Sequence, residues 1–120
     1  MSMIDDANIT ALSRFLDVNV FRSELVMSNM ANVDTPGYRT QDVNFSREME
    51  RAGGNIEYAS FSPVAHSVRG LMERPDGNNV SLERESLLLA DTQLHFNLGV
   101  QLLRDEFKSI LSAIHEGSPS

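Results

Sequence analysis

The sequence contains no cysteine. Disulfide staples, thiolate nucleophiles and cysteine-ligated zinc are therefore excluded. Long apolar runs are missing too. The longest is Leu87-Leu88-Leu89-Ala90, far short of the roughly 18 residues that a membrane-spanning helix needs. Basic residues are scarce, with 10 Lys and Arg against 17 Asp and Glu and a net charge of −7. A nucleic-acid binder needs a basic stripe to neutralise phosphates, and docking on an anionic membrane needs the same sign of charge. Both are disfavoured. The charge is spread out, with a net −4 over residues 1–50, 0 over 51–80 and −3 over 81–120, and no block of like charge forms an interaction tail. Asp5 and Asp6 stand where a Sec-type signal would carry basic residues before an apolar stretch, so no cleaved signal of that kind is expected.

Catalytic patterns are equally thin. No nucleophile elbow and no Gly-rich phosphate loop is present. His66, His95 and His115 are far apart and lack the clustering that a zinc site requires. Asp105 and Glu106 are neighbours on a helical stretch, and adjacent helix positions point in different directions. The reading is a non-enzymatic protein with no metal and no cofactor.

What is present is a pattern of helix, irregular middle, helix, within a length that allows one domain. From about residue 5 to 32 no Gly or Pro interrupts the chain. Ile4, Ala11, Val18 and Leu25 recur every seven residues, joined by Phe15, while Ile9, Leu12, Leu16, Val20, Met27 and Met30 form a second stripe. Two apolar stripes on one helix mean burial on more than one side. Over residues 82–115, Leu82, Leu89, Phe96, Leu103 and Ile110 keep seven-residue spacing, and Val100, Phe107 and Ile114 fill the alternate position of a coiled-coil-like seam. Ser81 suits an N-cap, Glu83 and Glu85 favour the first turn, and Gly117 and Pro119 suit a stop. Gly99 reads as a weak point, costing about 1 kcal/mol relative to Ala. Helices of these lengths would measure roughly 40 and 50 Å. They do not fit a compact chain of this size, whose radius of gyration would be about 13–14 Å. An elongated, mainly α subunit with long terminal helices is expected, marginal alone because ordering costs roughly 1–2 kcal/mol per residue, and fully ordered only on assembly.

The middle, residues 33–80, shows no sustained period. Ile56, Tyr58 and Phe61 hint at one short strand. Arg74-Pro75-Asp76-Gly77 reads as a type I turn. Pro36 disfavours helix at Thr35, and Thr35-Pro36-Gly37-Tyr38 fits a type II turn with Pro second and Gly third. Asn29 and Asn32 fall on the register of Phe15 and Leu25, where polar groups set register and partner choice or serve the helix exit.

A long N-terminal helix ending in Ala31-Asn32, then Thr35-Pro36-Gly37-Tyr38, resembles the flagellar rod and hook axial protein family. The stretch Asp42-Val43-Asn44-Phe45 and the run Arg74-Pro75-Asp76-Gly77-Asn78, with Val80 and Leu82-Glu83 leading into the last helix, are similar to its B-type rod proteins. The resemblance covers essentially the whole chain. It implies a structural subunit of the basal-body proximal rod, exported unfolded through the flagellar type III channel without cleavage into the periplasmic rod. There it would link the membrane ring to the rest of the rod and transmit torque. The implied partners are copies of itself, other rod subunits, membrane-ring and rod-junction proteins and the export apparatus. The assembly residues would be Asn29, Ala31, Asn32, Thr35, Pro36, Gly37, Tyr38, Leu89, Phe96, Val100, Leu103, Phe107, Ile110 and Ile114. Two other readings stay open on the residues themselves: a soluble helical binding module such as an export chaperone or adaptor, and another axial protein of the C type, whose Glu-Met-Val segment is missing here.

Overall fold

The computed structural model describes residues 3–53 and 62–116. Five elements follow one another: α1 (Met3–Ala31), β1 (Gln41–Val43), α2 (Phe45–Ala52), β2 (Ala65–Ser67) and α3 (Leu82–Glu116). The principal packing is α1 against α3, and the chain extends over 72 × 28 × 19 Å with a radius of gyration of 18.7 Å. That is well above the roughly 13–14 Å of a compact chain of this length. The elongation expected from the helix lengths is therefore observed.

The two long helices run antiparallel. Asn29, near the end of α1, meets Glu85 in the first turns of α3, and Phe15 and Leu16 meet Gly99 further along. At Ser81 the N-cap forms: Ser81 Oγ accepts from Arg84 N at 3.2 Å and Ser81 O from Glu85 N at 2.9 Å. The expected stop at Gly117 and Pro119 lies outside the described residues, as does the expected strand at Ile56, Tyr58 and Phe61.

The apolar seam of α3 divides. Leu89, Phe96 and Leu103 are half-buried and Ile110 is buried. Phe107 and Ile114, at the alternate position, are 50% and 54% exposed, and Leu82 is exposed as well. The second column of buried residues is instead Glu85, Thr92 and Gly99, again seven apart. Gly99 corrects the view of it as a mere weak point. A Cβ there would lie 2.7 Å from Leu16 Cδ2 and 2.9 Å from Phe15 Cδ1, so the missing side chain is what lets the helices close at this level.

The middle is more ordered than its lack of period implied. β1 and β2 pair antiparallel, with Gln41 opposite Ser67 and Val43 opposite Ala65. α2 starts at an N-cap, Asn44, whose side chain accepts from Arg47 N at 3.1 Å. Phe45 stacks edge-on against Phe15 of α1, ring centroids 5.4 Å apart. An eight-residue helix makes too few turns to show a period. Its buried side also carries Glu48, paired with Arg51 at 2.6 Å, which breaks the apolar pattern.

Candidate functional site

The junction between the helices is built from two turns. Pro36 and Gly37 close the first, with Tyr38 N donating to Thr35 O at 3.2 Å and Gly37 at φ +75°, the type II geometry that glycine allows. Pro75 opens the second, where Gly77 N donates to Arg74 O at 2.9 Å and Asp76 Oδ1 accepts from Asn78 N at 2.9 Å.

These turns dock on each other. Gly37 N donates to Asp76 O at 2.9 Å. The Arg74 guanidinium donates to Val33 O. Asn78, fully buried, gives both amide protons to the chain leaving α1, to Asn32 O at 2.9 Å and Thr35 O at 2.8 Å. Both carbonyls already accept within the helix exit, Asn32 O from Thr35 N and Thr35 O from Tyr38 N, and Asn78 adds a second donor to each from far along the chain. Its own Oδ1 accepts from Val80 N at 2.8 Å, so the same amide steers the entry to α3. Next to it, Asn79 Oδ1 accepts from Thr40 N at 2.7 Å and Asn79 N donates to Tyr38 O at 3.3 Å.

Asn29 is the second node. It is fully buried, and its amide fills both donor and both acceptor positions. Nδ2 donates to Gln41 O at 2.8 Å and to Glu85 Oε2 at 3.1 Å, while Oδ1 accepts from Tyr38 Oη and Gln41 N, each at 3.0 Å. Asn29 thus binds the main chain of β1 in the way a neighbouring strand would. Asn32 serves the helix exit: Nδ2 donates to Ser28 O at 2.8 Å and Oδ1 accepts from Thr35 Oγ1 at 3.0 Å.

A chain of charges runs beneath. Asp42 accepts two bonds from Arg22, both at 3.1 Å, and one from Arg84 at 2.9 Å. Arg84 also reaches Glu85 Oε1 at 2.8 Å, and Glu85 is fully buried. Two cations and two anions alternate, so burial leaves no unpaired charge among them. Reading Glu85 only as a favourable first-turn acid missed its place in this chain. Arg22, Asp42, Arg84 and Asn79 were missed as well. Their pairings span stretches of sequence that local patterns do not connect.

Of the residues expected to matter for assembly, Asn29, Asn32, Thr35, Gly37 and Tyr38 come together at this junction. Ala31 and Pro36 are exposed beside it. Leu89, Phe96, Val100, Leu103, Phe107, Ile110 and Ile114 lie along α3 away from it. The outer side of α3 adds Leu87 and Leu94, 68% and 67% exposed, with Leu98 near them. On α1, Val20 and Met27 are exposed and edge an apolar groove of about 290 Å³ whose other wall includes Thr92 and Phe96. Among the described residues no cluster suits a metal ion, and no helix is long and apolar enough to cross a membrane.

No protein-family model matches the chain. Individual proteins do. The chain is 31% identical over 105 residues to the flagellar basal body rod protein FlgB of Cereibacter sphaeroides, spanning 78% of this chain and 82% of that protein. It is 27% identical over 133 residues to FlgB of Salmonella typhimurium, across 94% and 96% of the two chains. FlgB of Borrelia hermsii is 27% identical over 128 residues, across 89% and 95%.

Proposed function

The chain belongs to the FlgB family of flagellar basal body rod proteins, and from that premise we propose how it works there. It is a structural subunit of the rod, and neither the chaperone or adaptor reading nor the C-type reading has support. It assembles with other rod components. In the proposed mechanism the two long helices carry the assembly contacts and the junction holds them in fixed relation. One observation carries this reading: α3 exposes Leu87 and Leu94 on one side and Phe107 and Ile114 on another, more apolar surface than α1 covers.

Neighbouring copies and other rod subunits would cover those side chains, with Leu89, Phe96, Val100, Leu103 and Ile110 holding the intervening layer. Ala31, Thr35, Pro36 and Gly37 would present the junction to the next subunit, with Asn29, Asn32 and Tyr38 holding it in shape from within. The finer reading follows the resemblance. The chain leaves the cell through the type III export apparatus without cleavage. It joins the membrane ring to the rest of the periplasmic rod and transmits torque by the stiffness of many staggered helix contacts. It performs no catalysis and binds no nucleic acid.

The test is deletion of the gene and complementation with the intact chain. Deletion should abolish swimming and leave basal bodies without a rod, and the intact chain should restore both. Normal rods in the deletion strain would overturn the reading.

A further inference from the structure

The two-stranded sheet has one closed edge and one open edge. On the β1 side, Asn29 takes the place of a third strand, accepting from Gln41 N at 3.0 Å and donating to Gln41 O at 2.8 Å. Val43 N, on the same side, donates to Asp42 Oδ1 at 2.7 Å. β2 has no such cover. Val68 N donates to Thr40 O at 3.0 Å, and the register puts His66 opposite Asp42. In an antiparallel ladder, hydrogen-bonded pairs alternate with pairs that are not bonded. His66 and Val68 therefore face β1, while Ala65 and Ser67 point their N–H and C=O groups outward. His66 Nδ1 lies 3.2 Å from Ser67 O. Ala65 N, Ala65 O and Ser67 N have no partner outside the strand pair among the described residues. Neither Pro nor Lys stands within Ala65–Ser67, so two common guards of an edge strand are missing.

The surroundings of this edge are cationic. Val64 and His66 line a cleft of about 370 Å³ together with Asn44, Arg47, Glu48 and Arg51 at the start of α2. Glu48 is buried and held by Arg51 at 2.6 Å. Arg47 is exposed and has no carboxylate partner among the described residues. Arg69, just past β2, is exposed and without a carboxylate in the same way. Residues 62–70 hold no acid, in a chain whose net charge is −7. Val64 is 57% exposed and adds apolar surface. A short edge makes few main-chain bonds, so the charges around it decide which strand is accepted.

We propose that β2 accepts an extended acidic segment of another polypeptide as a third strand. The segment's main chain bonds Ala65 and Ser67. Its carboxylates meet Arg47 in the cleft and Arg69 beyond the strand end. The site shares no residue with the α3 faces assigned above to neighbouring subunits and does not depend on that assignment.

The probe is a heptapeptide of alternating valine and glutamate, blocked at both ends. It is titrated into the full chain at a concentration where the chain is monomeric, with amide shifts and exchange read by NMR. Ala65 and Ser67 should shift most, and their amides should exchange at least about tenfold more slowly when bound. Replacing the glutamates by lysines should weaken binding at least about tenfold. Methylating the peptide's main-chain nitrogens should do the same. Arg47→Glu should weaken binding at least about tenfold and leave the melting midpoint unchanged. Arg47 is exposed in the first turn of α2, where an acid is favourable. No shift at Ala65 and Ser67 up to millimolar peptide would overturn the proposal. So would equal binding of the methylated peptide, which would mean charge contact without a strand. Equal binding of the lysine peptide, or wild-type binding by Arg47→Glu, would overturn it as well. The peptide assay involves no rod, so absent binding with normal complementation sinks this site alone, while failed complementation strikes at the rod reading.

Discussion

Gly37 and Gly77, each at positive φ, touch across the junction: a Cβ on Gly77 would lie 3.3 Å from Gly37 Cα. Each glycine closes its own turn, and the pair also lets two main chains approach. A third glycine, Gly70, has φ +81° with nothing within 4 Å of its Cβ position.

The three glycines give a graded prediction. Left-handed backbone costs an L-residue about 1–2 kcal/mol, so Gly70→Ala and Gly37→Ala should each lose about that amount of stability. Gly77→Ala adds the close approach to Gly37 and should lose more, about 2–3 kcal/mol in all. Urea denaturation of the three variants checks the order. Equal losses would show that the contact between the turns carries no weight.

Gly99→Ala sets two effects of opposite sign against each other. Helix propensity favours Ala by about 1 kcal/mol. Packing opposes it, because the added methyl meets Leu16 Cδ2 at 2.7 Å and the Phe15 ring at 2.9 Å, and overpacking costs typically about 1–3 kcal/mol. The leucine methyl can rotate away. The ring is held by Phe45 and yields less readily. We expect a net loss of about 1 kcal/mol, read from the denaturant midpoint. A stabilised variant would show that the helices separate cheaply at this level.

The long helices were legible because heptads repeat often enough over α1 and α3 to be counted. The two turns were legible because Pro36, Gly37, Pro75 and Gly77 restrict the backbone locally. Their docking was not legible: Asn78 reaches Asn32 O and Thr35 O across some forty residues, and local rules do not see that distance. Glu85 illustrates the same limit. A first-turn acid is favourable on any helix, so its position gave no sign that the carboxylate is buried between Asn29 and Arg84. β1 and β2 span three residues each, too few for alternation to register.

Asp42 holds two arginines at once, and removing it should cost more than removing either of them. Asp42→Ala leaves the Arg22 side chain, 20% exposed, without its carboxylate and the Arg84 side chain, 25% exposed, with Glu85 alone. Breaking a buried pair from one side costs about 3–5 kcal/mol. Arg22→Met leaves Asp42 still paired with Arg84 and should cost less than that. Thermal denaturation of both variants checks the ranking. Added salt should change the wild-type midpoint little, because buried pairs are screened far less than surface ones.

Leu94 separates folding from assembly. It is 67% exposed on the side of α3 turned from α1, so Leu94→Asp removes little buried surface within the chain. Exposed substitutions of this kind change stability by about 0.5 kcal/mol or less. On a face that packs against another subunit the same carboxylate would be buried without a partner, at a cost of several kcal/mol. The expected result is a variant that melts like wild type when isolated, is exported at normal levels and fails to restore swimming to the deletion strain. The paired control is Glu83→Gln, on an exposed first-turn position of the same helix, which should restore it. Full motility of Leu94→Asp would remove this face from the assembly surface and leave the Phe107 and Ile114 side of α3 to carry the contacts.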